Sequence, residues 1–408
     1  MTDLVSRRII EALRTGVPTH HAVVALGSGQ PRLESRMSEL LRDVRTGAVA
    51  RPSGFVFNGD FGSGKSHLLE VFAAKAIEDN FLVSRVVISK NLPLHSPMPV
   101  FLELMTSLCS KSHIEDAFLT IVNEALDRGA DLSGLLSWSN DEARAGRLAP
   151  LFPALLSALR RVPIGTYAYH TIVEYLSGAS VPQTELNTVF RAHAPHIRDH
   201  SGPRAPVRAA QTTRFLSRLF IELGFAGWIV LFDELELIRL QGPVSRGKAY
   251  VEIATWFGLE RERRVAGLGA VGTVTRDFVS SCIEAGSYDR ELVPLRLGNS
   301  PTNFHLAAPA HAGMEFLVGE QGNECSAPDH RRLKEIQRMI RGHYGAAFGG
   351  SPSELTVPNT VGAGVSMRAF IRRWITLWDL ERQGRSEAIE DYEVAPALDA
   401  DDAEEVSP

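Results

Sequence analysis

Cysteine is scarce in this chain: 408 residues contain only Cys109, Cys282 and Cys325, with no C-x-x-C spacing among them. That excludes a disulfide framework and a zinc site built on cysteine, and it fits a reducing compartment. Long apolar runs are missing too. Nowhere do 18 apolar residues follow one another, and the opening stretch MTDLVSRRIIEALRTG sets its apolar residues at helical spacing between charges. We therefore expect an unexported, cytoplasmic chain with no membrane partner. No internal repeat is detectable. What the chain does have is 44% hydrophobic and 22% charged residues. That is enough for a sizeable core and two or three domains, which excludes a mini-protein, a fibre or a disordered chain.

Basic residues are absent from Ser386 to Pro408, where nine Asp or Glu residues gather; with them set aside, the formal charge of −5 becomes +4. We read residues 386–408 as a disordered acidic tail and the body as mildly basic. Such a body tolerates phosphate-bearing partners without arguing for nucleic acid.

The first fifty residues are read as a helical segment, with a break at Gly16–Pro18. Five short apolar runs are read as strands buried in a parallel sheet: Phe55–Asn58, Val83–Ile88, Trp228–Phe232, Leu268–Val274 and Leu292–Leu297. About 140 residues of helical pattern separate the second from the third, so a helical insertion is expected at about 100–220. A core over 51–298 is followed at 299–385 by a mainly helical, lid-like or winged-helix-like domain. Within it we expect a helix at Arg331–Arg341, a glycine-rich loop at Gly342–Gly364 and an amphipathic helix at Met367–Leu380. The fold class is α/β, a parallel sheet flanked by helices.

Chemistry concentrates in Gly59-Asp60-Phe61-Gly62-Ser63-Gly64-Lys65-Ser66, which matches G-x-x-x-x-G-K-[ST] between a predicted strand and a predicted helix. Glycines let backbone N–H groups wrap a diphosphate at approach distances that a Cβ would obstruct, and the helix N-terminus adds donors. Lys65 would meet the β and γ phosphates of ATP, and the Ser66 hydroxyl would ligate Mg2+. Trp228–Phe232 ends in Asp233-Glu234. Asp233 would hold the magnesium and Glu234 would orient and deprotonate the attacking water.

Other residues admit more than one reading. Thr273 and Thr275 could touch the water or γ-phosphate, or serve as plain β-branched strand residues. Arg290 and Arg296 flank the fifth expected strand, as an arginine finger offered to a neighbouring subunit or as surface ion pairs. Arg368 could reach the γ-phosphate from a C-terminal lid. His193, His196 and His200 with Asp199 suggest a metal, yet they sit in a polar loop that Pro195 breaks. Arg204, Arg208, Arg214 and Arg218 form a basic run that touches nucleic-acid phosphate, as of double-stranded DNA, or a partner's acidic surface, or is a solvated helix face with no ligand.

With these residues in view, the chain resembles the ATP-binding proteins of BREX-type bacterial anti-phage systems, a P-loop family akin to AAA+ (ASCE-like) and origin-recognition ATPases. Arg8–Pro18 looks like the family's opening helix and turn. Gly59–Leu69 looks like its G-D-[FY]-G-S-G-K-[ST]-H-x-L loop, which adds His67 to the cofactor-binding set. Leu94-His95-Ser96-Pro97 resembles the segment after its second strand, and Leu231–Glu236 its D-E-x-E strand end. The likeness runs over about 5–380. It implies an ATPase of phage defence that acts in company with a helicase and other system components, as a homo-oligomer or within a hetero-complex. An ATP hydrolase that remodels or loads a protein–DNA assembly is the leading reading. A slow nucleotide-dependent assembly or sensor module and a replication-initiator-like DNA loader are the alternatives.

Overall fold

The computed structural model describes residues 3–15, 20–47, 52–114, 116–197, 199–260, 264–284, 288–357 and 367–385. The expected break at Gly16–Pro18, the last part of the glycine-rich loop and the acidic tail lie outside them.

Three helices open the described chain, α1 (Leu4–Thr15), α2 (His20–Leu26) and α3 (Pro31–Thr46), before β1 (Gly54–Gly59), α4 (Lys65–Glu78) and β2 (Leu82–Val87). Among the described residues, seven α-helices then separate β2 from the next strand: α5 (Pro97–Thr106), α6 (Ala117–Asp127), α7 (Ser133–Arg144), α8 (Leu151–Leu159), α9 (Tyr167–Leu176), α10 (Gln183–His193) and α11 (Arg208–Glu222). After them come β3 (Trp228–Asp233), α12 (Pro243–Trp256), β4 (Leu268–Thr275), α13 (Asp289–Gly298), α14 (Ala307–Gly319), α15 (His330–Phe348) and α16 (Met367–Arg382). The fold is mixed α/β and mainly helical, with a parallel sheet in the order β1-β4-β3-β2.

Strand alternation explains how the sheet is covered. Phe55, Phe57, Val83, Ile229, Leu231 and Val271 face α3 and α4, packing on Leu33, Met37, Leu40, Leu69 and Phe72. The intervening residues Val56, Leu82, Val86, Val230, Phe232 and Ala270 face the opposite way, into a larger core that takes in the insertion helices together with α12, α13 and α14. Burial on both faces is why these strands read as unbroken apolar runs. A third cluster joins the two ends of the chain: Ile9, Ile10 and Leu13 of α1 pack with Leu333, Ile340 and Tyr344 of α15 and Trp374 and Trp378 of α16.

Two expectations are corrected. The run Leu292–Leu297 is helical, inside α13. Val293 and Leu297, four apart, are buried with Asp289 on one face, while Leu295 is exposed. Pro294 lacks the N–H that a central strand must donate. The free edge of β1 is met instead by Asn323–Cys325: Asn58 N donates to Asn323 O at 2.8 Å and Cys325 N to Asn58 O at 2.7 Å, as a parallel bridge. The second correction concerns Gly342 and Gly345, which lie within α15. Leu333, Ile336, Ile340, Tyr344 and Ala347 keep a helical stripe buried as far as Phe348, so the loop begins only at Gly349.

Candidate active site

The C-terminal end of β1 turns through Asp60–Gly64 into α4, whose first residue is Lys65. Glycine is required at three places. Gly62 and Gly64 take φ of 77° and 97°, a region that side chains disfavour. At Gly59 a Cβ would lie 2.9 Å from the Cys325 carbonyl oxygen and still closer to Ser63 Oγ. Lys65 Nζ donates to the carbonyls of Gly59 at 3.0 Å and Asp60 at 3.3 Å, folded over the loop.

β4 stands between β1 and β3, so the strand that feeds the loop and the strand that carries the carboxylates are two sheet spacings apart, roughly 10 Å. Asp233 is 2% exposed. Thr273 Oγ1 donates to its Oδ1 at 2.7 Å, and Arg85 Nη2 on β2 donates to its Oδ2 at 2.7 Å. Burial alone would push this carboxyl up; the Thr273 bond and the Arg85 charge, with nearby Ser66, outweigh it and hold Asp233 below its ordinary value. Arg85 also pairs with Glu70 of α4, tying that helix to the acidic strand.

Glu234 is exposed and takes a left-handed backbone, φ 59°, with its N–H directed at Asp233 Oδ1 and Thr273 Oγ1, each at 3.2 Å. Glu236, one turn further in the short 3₁₀ segment Leu235–Leu240, is 6% exposed. Burial lifts its carboxyl to about 7; the Lys65 charge opposes that rise and those of Glu234 and Asp233 add to it.

Lys65, Ser66, Asp233, Glu234 and Glu236 line one cleft of about 1270 Å3, which also receives Thr275, Arg368, Cys325 and the exposed Phe61. That exceeds the roughly 300–1,000 Å3 of ordinary small-molecule pockets. Leu13, Leu26, Ile336 and Ile371 of the end-to-end helical cluster also line the cleft. Thr275 is in register with Gly59, and its Oγ1 is buried with no hydrogen-bond partner among the described residues. His67 lines the cleft but donates to Gly27 O at 3.0 Å, and burial lowers its pKa.

Other candidates are held elsewhere. Arg290 sits on α13 and pairs with Glu315 at 2.8 Å, Arg296 is exposed on the same helix, and neither lines the cleft. His196 bonds to Ser157 and Arg161, the His200 ring packs at a tilt against Phe190, and no metal-holding group of three ligands occurs among the described residues. The basic run is also divided, because Arg208 lies over the Tyr175 ring, Arg214 binds Glu142 at 3.2 Å and Arg218 binds Glu222 at 2.6 Å. It does not present one continuous basic face.

Sequence reasoning passed over Arg85, a single arginine within V-S-R-V-V, and gave no role to Glu236 although D-E-x-E contains it. It also passed over Arg276, which follows Thr275 and pairs with Asp60 of the loop at 3.2 Å.

Residues 2–129 match the family model described as BREX system ATP-binding protein BrxC/D. The match supports a BREX-type ATP-binding protein. The matched segment contains Gly59–Ser66 and Arg85 and ends before β3, so Asp233 and Glu234 lie outside it. No curated protein and no solved structure gives a significant match. The family's description names ATP binding and a BREX system. Among the described residues no helix is long and apolar enough to cross a membrane.

Proposed function

We propose that this protein binds ATP with Mg2+ and hydrolyses it, as an AAA+/ASCE-like P-loop ATPase of a BREX defence system. In this reading turnover drives the remodelling or loading of a protein–DNA assembly in the cytoplasm, alongside a helicase and other components. One observation carries the enzymatic part: Ser66, directly after Lys65, lines the same cleft as the buried Asp233, at the end of a strand two places away, and helps to hold that carboxyl low. A hydroxyl and a carboxylate are hard oxygen donors. They suit Mg2+, which takes few protein ligands and completes its shell with phosphate and water. Bound there, the metal would neutralise phosphate charge. Lys65 would leave the loop carbonyls for the β and γ phosphates, the N–H groups of 60–66 would cradle them, and Thr275 Oγ1 would find the partner it lacks. Glu234 would orient the water.

A slow assembly or sensor module is the second reading, and the Arg85–Asp233 pair favours it, because a metal ligand already held by a guanidinium suits a resting state. Phosphate release by the full chain, measured with and without double-stranded DNA, separates the two. For the hydrolase we expect steady turnover that Glu234→Gln suppresses while ATP is still bound. Nucleotide binding without turnover under either condition supports the module instead.

A further inference from the structure

We propose that Glu236 is a second working carboxylate of this site, receiving the proton that the attacking water gives up. The inference deepens the hydrolase reading and rests on it.

The observation is an orphaned atom. Glu236 is 6% exposed, yet among the described residues its Oε2 is buried with no hydrogen-bond partner. Leaving a buried carboxylate oxygen unpaired is costly, and structural residues normally avoid it by finding a donor. No donor has to be sought far away, because Glu236 lines the same cleft as Lys65, Asp233 and Thr275. A ligand carrying a hydrogen there, such as the water beside a γ-phosphate, would complete it.

Three charged groups act on Glu236, namely Lys65, Glu234 and Asp233. Burial and the two acidic neighbours raise its proton affinity and Lys65 lowers it, with a balance near neutrality. A carboxyl poised there is a better proton acceptor at pH 7 than an ordinary glutamate. Glu234 differs in being exposed, with its backbone N–H committed to Asp233 and Thr273. The division of labour is that Glu234 orients the water and Glu236 stores its proton. In the step, the water oxygen bonds to Pγ, the bond from Pγ to the bridging oxygen breaks with its electron pair leaving on ADP, and the water proton passes to Glu236 Oε2. The proton returns to solvent after product release.

The test compares the full chain with Glu236→Gln, Glu234→Gln and the double variant, reading ATP affinity by equilibrium titration and kcat across pH 5.5–9. Circular dichroism confirms folding. We expect wild-type kcat to rise with pH through about 7 and then level. Glu236→Gln should lower the plateau by about 10²-fold and abolish that rise, with ATP affinity within about twofold. Glu236→Asp should restore part of both. An unchanged kcat and pH profile in Glu236→Gln, with Glu234→Gln alone abolishing turnover, overturns the proposal and leaves the hydrolase reading standing. Wild type that binds ATP without turnover overturns both. If Glu236→Gln fails to fold, Glu236→Asp decides: a wild-type pH profile and rate in that variant count against the proposal.

Discussion

Arg85 Nη2 lies 2.7 Å from Asp233 Oδ2, a strand-to-strand ion pair whose carboxylate is 3% exposed and whose guanidinium is 27% exposed. Arg85→Ala would leave that carboxylate with fewer partners. We expect a loss of roughly 2–3 kcal/mol at pH 7, less than for a fully buried pair because Arg85 is partly solvated. Asp233 is held below 3.8, so its stabilising contribution is fully present above that value and is lost as pH falls through the lower folded value. The deficit of the variant should therefore shrink below about pH 4. Urea unfolding at pH 7 and pH 3 measures both; an equal deficit at the two pH values contradicts the assignment.

Gly59→Ala tests the contact between the phosphate loop and Asn323–Cys325. Its Cβ would press on the Cys325 carbonyl and Ser63 Oγ. We expect a loss of about 1–3 kcal/mol, as for other overpacked sites, together with weaker ATP binding. Thermal unfolding and nucleotide titration read the two effects, and a wild-type result in both would mean that the segment does not brace the loop.

How much of this was legible in the sequence depended on distance along the chain. Gly59–Ser66 is a local pattern whose spacing carries its own geometry, and Asp233-Glu234 stood out as acids ending an apolar strand. Leu292–Leu297 misled because a short apolar run has no period that separates strand from helix, and the buried pair Val293 and Leu297 shows only in the fold. Asn323–Cys325 makes a single bridge to β1 and has no strand composition to detect. Arg85 found its partner 148 residues away, and no local rule joins them.

Glu236 makes an unusual prediction about stability. Its folded carboxyl is raised from 4.5 to about 7, so the folded state holds a proton that the unfolded state has lost between those values, and stability falls as pH rises through the window. Glu236→Gln removes this penalty. The variant should match wild type near pH 4.5 and exceed it by about 1–3 kcal/mol at pH 8. A pH-independent difference in denaturant midpoint would show that the carboxyl is not buried as described.

Arg290 and Arg296 lie on α13 outside the cleft, so any service to the γ-phosphate must be given to another subunit. Specific activity should then rise with protein concentration. Arg290→Ala or Arg296→Ala mixed with Lys65→Ala should recover turnover, since each spoils a different half of a shared site, and a finger in trans contributes about 10³–10⁵ in rate. Full activity from a species that light scattering shows to be monomeric would assign the charge to this chain's own Arg368 or Arg276.

The central claim is that Gly59–Ser66 is where ATP binds. Equilibrium titration of ATP with magnesium into the wild-type chain and Lys65→Ala tests it most directly. The account expects saturable binding by wild type and a loss of at least about 10²-fold in the variant, an ammonium bonded to phosphate being among the stronger charge-assisted contacts. Equal affinity in the two proteins would contradict it.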